Sequence, residues 1–129
     1  MYIFALHEIT EIRGKLKFFK LFVNETCEYD EFEKEIINQG NLLKELTTVI
    51  ARMHEIADLK TLPNNKFRDI TPKNDNTKEY EIKTKHLRVY LFHEKSTGRV
   101  IVCGGKKGTQ QSDIKHFRNI KKEYLKQMQ

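Results

Sequence analysis

Apolar residues near the start of the chain fall in two short runs, Tyr2-Ile3-Phe4-Ala5-Leu6 and Lys15 to Val23, separated by a polar stretch ending at Gly14. Aromatic and β-branched side chains suit a pleated, half-buried surface, so the two runs read as a strand hairpin. Alternation with a period of two places Phe19, Leu21 and Val23 on one face, assigned to the core. From residue 24 the period lengthens. Tyr29, Phe32, Ile36 and Ile37 recur at helical spacing after the candidate caps Thr26 and Asp30, and Gly40 is a stop signal. Asn41 then caps a second helix, whose apolar stripe runs through Leu42, Leu43, Leu46, Val49, Ile50, Met53 and Ile56. The two helices are expected to form a hairpin.

Pro63 and the polar run Thr71 to Lys78 mark a loop. Three strand signals follow, Glu79 to Lys83, His86 to His93 and Arg99 to Cys103, with a turn at Lys95 to Gly98 joining the last two into a meander. Ser112 is the expected cap of a final helix carrying Ile114, Phe117, Ile120, Lys121, Tyr124 and Leu125. The length of 129 residues fits one domain spanning the whole chain.

Charge changes this picture more than composition does. Residues 1 to 60 carry a formal charge of −3, whereas residues 61 to 129 carry +9. Such a concentration of cations attracts phosphate polymers or acidic segments. The N-terminal stretch lacks a basic segment followed by an apolar run, and no stretch is apolar enough to span a membrane, so a soluble, cytoplasmic protein without membrane association is expected. Cys27 and Cys103 stand far apart without metal-ligand spacing, and no metal site or disulfide is expected. Lone His7, His54 and His93 read as surface residues.

The strand from His86 to His93 separates by parity, with Leu87, Val89 and Leu91 on the expected core face and His86, Arg88, Tyr90 and Phe92 opposite. The second face thus offers a guanidinium between an imidazole and a phenol, near Lys83 and Lys85. Arginine grips phosphate through two parallel hydrogen bonds, and aromatic rings stack on unpaired bases. The following strand ends in Gly104-Gly105-Lys106-Lys107-Gly108, where backbone can approach a ligand closely beside two more cations. Its spacing is not that of a nucleotide-binding P-loop.

The run Tyr80 to Phe92, then Gly98 to Val102, then Gly105-Lys106-Lys107 and a helix resembles the RelE/HigB group of bacterial toxins. That resemblance implies an α+β, RelE-like fold: an antiparallel sheet with an N-terminal helical hairpin packed on one face and a C-terminal helix. It further implies the toxin of a type II toxin–antitoxin system, a ribosome-dependent messenger RNA endoribonuclease restrained by a cognate antitoxin and needing no cofactor. By position the catalytic set is Lys83, Lys85, His86, Arg88, Lys107 and His116, with RNA contacts from Arg68, Tyr90, Arg99 and Lys106. Asp113 and His116 lie near where the group often presents a Tyr or another late polar residue, with Tyr124 further on, and the extra N-terminal strand departs from its pattern.

Attack of a ribose 2′-hydroxyl on the adjacent phosphate requires a base, an acid and a cationic clamp. Lys83 or Lys85 serves as base because clustered lysines depress one another's pKa, His86 or His116 is the alternative, and Arg88 is the clamp. With Arg88 pointing to solvent, Arg88→Ala is expected to change stability by no more than about 1 kcal/mol. The alternatives are a ParE-like toxin acting on DNA gyrase and a non-catalytic nucleic-acid-binding protein.

Overall fold

The structure, a computed structural model, describes residues 1–128. Strands β1 (Phe4–Glu8) and β2 (Phe18–Val23) precede helices α1 (Glu28–Gln39) and α2 (Leu43–Ala57). Strands β3 (Phe67–Asp69), β4 (Glu79–Lys83), β5 (Leu87–Glu94) and β6 (Gly98–Lys106) follow. A short 3-10 turn, Lys107–Thr109, then leads into α3 (Gln110–Gln127). The six strands form one sheet in the order β1-β2-β6-β5-β4-β3.

This corrects the expected architecture on two counts. The helical pair is not N-terminal, because two strands come before it, and the sheet is mixed. β2 runs parallel to β6, with Phe18 opposite Arg99 and Lys20 opposite Ile101, while the other neighbours are antiparallel. The parallel pair follows from connectivity: the chain leaves β2, crosses the sheet through α1 and α2, lays down β3 to β5, and returns beside β2 as β6. β3 lies in a stretch to which the hydrophobic pattern assigned no element. Three residues are too few to show a period, and the strand exists through its pairing of Phe67 with Ile82 and Asp69 with Tyr80.

The larger consequence for function is that both faces of the sheet are covered. On one side Phe18, Ile82, Leu87, Val89, Leu91 and Ile101 pack with Phe32 and Ile36 of α1 and Val49 and Met53 of α2. On the other, Leu21, Tyr90, Phe92, Val100 and Val102 pack with Phe117, Ile120 and Tyr124 of α3. Strand β5 is therefore buried on both sides from Leu87 to Phe92. In β2 it is Phe18 and Leu21 that are fully buried, with Phe19 and Val23 only half-buried. A bulge places Tyr90 opposite Cys103 and Leu91 opposite Ile101, so Val102 is the extra residue of β6. Beyond it, β6 ends in two glycines that let both helical layers close in. A Cβ on Gly104 would stand 2.6 Å from the Phe32 ring, and one on Gly105 2.1 Å from the Asp113 carboxylate.

Smaller expectations are also revised. Gly40 does end α1 in the left-handed conformation, at φ 80°. α2 begins after Leu42 without a side-chain cap, so Asn41 does not serve as one. α3 begins at Gln110, which leaves Ser112 inside it, its hydroxyl donating to the Thr109 carbonyl at 3.0 Å. Cys27 and Cys103 are buried free thiols. Among the described residues no helix is long and apolar enough to cross a membrane.

Candidate functional site

The turn between β4 and β5 is pinned by its own polar residues. Thr84 and Leu87 exchange bonds, the Thr84 amide donating to the Leu87 carbonyl and the Leu87 amide to the Thr84 hydroxyl, each at 3.0 Å. The next link crosses to β6, where the Lys107 amide donates to the His86 carbonyl at 2.9 Å and Leu87 lies opposite Lys106. The Lys83 amide donates to the Lys66 carbonyl at 2.8 Å, drawing in the loop before β3. One end of the sheet thus gathers Lys66, Lys83, Lys85, His86, Lys106 and Lys107. All are exposed except the half-buried Lys83. Among the described residues none of these lysines forms an ion pair, and only Lys106 has a side-chain partner, the Gln39 amide oxygen at 2.8 Å. The positive potential at this end is left largely uncompensated, which favours phosphate.

The imidazole is held by a residue from the other side of the chain. Glu45, in the first turn of α2, accepts the His86 amide through Oε1 at 2.7 Å, and its Oε2 lies 2.6 Å from His86 Nδ1. The Thr84 hydroxyl also donates to Glu45. Burial alone would raise the Glu45 carboxyl, but the hydrogen bonds from Thr84 and His86 outweigh it and hold the group at about 2, against an ordinary 4.5. With a carboxylate fixed on Nδ1, the ring keeps Nε2 for a ligand. Beside Lys107, the uncapped N-terminus of α3 and the 3-10 turn frame a hollow of about 510 Å³ lined by Lys107, Gly108, Thr109, Gln110, Gln111 and Ser112. The Gln110 N–H there donates to the Lys107 carbonyl, so the cation this hollow offers is the Lys107 ammonium.

Several expected site residues lie elsewhere or are otherwise engaged. Arg88 is not a solvent-facing clamp: it is 5% exposed beneath α3. Its guanidinium donates to the carbonyls of Thr84 at 2.6 Å and Leu87 at 2.8 Å, and faces the buried Glu81 carboxylate at 3.9 Å. Tyr90 is fully buried against Phe117, so it cannot stack on a base, and burial followed by the Glu81 charge pushes its phenol upward. Arg68 is half-exposed but paired with Glu81 at 3.1 Å. Arg99 stands at the far end of β6 with its guanidinium 4.3 Å from the centre of the Tyr80 ring. Lys106 lies seven positions further along the strand, roughly 20 Å away. His116 sits on α3 with Nε2 on the Glu28 carboxylate of α1 at 2.8 Å.

Comparison with known family models, characterised proteins and solved structures returned no match. The neighbouring groove between α1 and α3, about 420 Å³, is lined by Glu28, Glu31, Glu35 and Asp113 over Gly104 and Gly105, with Lys106 at its rim. Its carboxylates repel phosphate, so of the two neighbouring surfaces only the lysine-bearing end favours an anion. Among the described residues no group of three or more His, Cys, Asp and Glu side chains could hold a metal ion.

Glu45 and Lys66 were not legible as site residues in sequence. Glu45 stands 41 positions from His86 in an ordinary first helical turn, where acidic residues are common because they complement the helix dipole. Lys66 lies in the loop before an unrecognised strand.

Proposed function

We propose that this protein is a cytoplasmic endoribonuclease that cuts messenger RNA on the ribosome and acts as the toxin of a toxin–antitoxin pair. The observation that carries the reading is the meeting of Lys83, Lys85, Lys106 and Lys107 with a carboxylate-held His86 at one end of the sheet. A ribonuclease of this kind needs a proton acceptor among cations. His86 Nε2 takes the proton of the ribose 2′-hydroxyl as its oxygen bonds to phosphorus. The bond from phosphorus to the 5′-oxygen breaks, and a lysine ammonium donates a proton to that leaving oxygen. The remaining lysines stabilise charge on the phosphoryl oxygens, the role first assigned to Arg88. The products are a 2′,3′-cyclic phosphate and a 5′-hydroxyl. Arg88 contributes by fixing the turn that carries Lys85 and His86.

The test is cleavage of a defined messenger RNA in a translating extract, with product ends mapped. Wild-type protein should yield 2′,3′-cyclic phosphate ends, and His86→Ala should slow cleavage by about 100- to 1000-fold. Growth arrest without RNA cleavage, accompanied by gyrase inhibition, would replace this reading with the gyrase-directed toxin.

A further inference from the structure

The sheet has two edges, and they are protected very differently. β3 is three residues long, ends in Asp69, and is flanked by Pro63 and Pro72, features that discourage a further strand. β1 is the opposite edge. The stretch Tyr2 to Leu6, which runs into β1, contains no charged residue or proline, although one-third of the chain is charged, and the strand's one formal charge is Glu8 at its end. Its flanks are apolar too, since Ile3 is 70% and Met128 56% exposed, and the Gln127 amide on the Tyr2 carbonyl at 2.7 Å keeps the end of α3 beside this edge.

The hydrogen bonds show which groups are free. Ile9 donates to the Phe18 carbonyl at 2.8 Å, and Asn24 donates to the Ile3 carbonyl at 2.8 Å. In an antiparallel pair, residues bonded to the neighbour alternate with residues turned away. Ile3, Ala5, His7 and Ile9 therefore direct their backbone toward β2, and Phe4, Leu6 and Glu8 direct theirs outward.

We propose that β1 pairs antiparallel with β1 of a second copy of this chain, extending the sheet across a two-fold axis. The segment is complementary to itself. Pairing centred on Phe4 sets Tyr2 against Leu6 and Ile3 against Ala5, so that no like charges oppose one another. Two copies each carrying a formal charge of +6 repel, and the uncharged stretch Tyr2 to Leu6 is a surface on which they meet with little penalty. A strand pair with narrow apolar flanks buries less than the roughly 1,000 Å² of a stable interface, so the dimer is weak and concentration-dependent.

Sedimentation velocity from a few micromolar to about 500 μM should show a shift from monomer to dimer by mass action. Over the same range, amide exchange at Phe4 and Leu6 should slow by at least about tenfold, while Ala5 and His7, already bonded to β2, should change little. Ala5→Lys puts a charge at the exposed centre of the pairing without touching the β2 ladder, and should hold the protein monomeric with an unchanged circular dichroism spectrum. A monomer throughout the range overturns the proposal, leaving the edge to a foreign strand or to solvent. A dimer that survives Ala5→Lys, or forms without protecting Leu6, overturns it as well by placing the contact elsewhere.

Discussion

Arg88 shows how far the fate of one residue depends on what covers it. Its alternation in β5 is as read from the sequence, yet α3 seals the face to which it points, turning a surface cation into a buried one. Arg88→Ala would strip the Thr84 carbonyl of its donor, leave the Leu87 carbonyl with the Thr84 amide alone, and weaken the compensation of Glu81, which is 0% exposed. Arg68 and Gln110 still serve Glu81. The expected cost is about 2–4 kcal/mol, read as a lowered denaturation midpoint, in place of the roughly 1 kcal/mol of a surface substitution. Lys85→Ala and Lys107→Ala change exposed side chains and should leave stability within about 0.5 kcal/mol. Glu45 gives a pH signature. Its folded pKa, about 2, lies below its ordinary 4.5, so its ionised form stabilises the fold fully above pH 4.5 and loses that contribution as pH falls toward 2. Urea denaturation of wild type and Glu45→Gln should show a stability gap at pH 6 that narrows below pH 4.5.

At the scale of elements, the two glycines ending β6 decide how closely α1 and α3 approach the sheet. Gly104→Ala would drive a methyl group into the buried Phe32 ring, an overpacking expected to cost about 1–3 kcal/mol in denaturant unfolding. The glycines were read as permitting a ligand's approach, whereas Gly104 admits an aromatic ring and Gly105 a carboxylate. Strands and helices with enough residues to show a period were legible: β2, α1, α2, β4, β5, β6 and α3 all overlap segments marked by alternation or helical spacing. What was not legible depends on long-range pairing. The parallel contact of β2 with β6, the three-residue β3, and the docking of α3 over Arg88 and Tyr90 leave no local periodic trace. For the site, the backbone pairings of β4, β5 and β6 bring Lys83, Lys85, His86, Lys106 and Lys107 together as their places in sequence suggested. Arg99 and His116 fell outside because strand length and helix direction carry them away.

For the molecule as a whole, the formal charge of −3 in residues 1 to 60 and +9 beyond is expressed as two neighbouring surfaces of opposite sign. Carboxylates of α1 line one groove, and lysines from the β4–β5 turn and the end of β6 occupy the adjoining end of the sheet. The proposed grip of this end on RNA phosphates is tested most directly by the affinity for a short single-stranded RNA as salt is raised. With Lys83, Lys85, Lys106 and Lys107 each neutralising one phosphate, the log–log slope should be about −3, a loss of roughly 50-fold between 50 and 200 mM salt. Lys85→Ala/Lys107→Ala should reduce the slope to between about −1 and −2. An affinity indifferent to salt, or a slope unchanged in the double variant, would contradict the assignment of this surface to RNA.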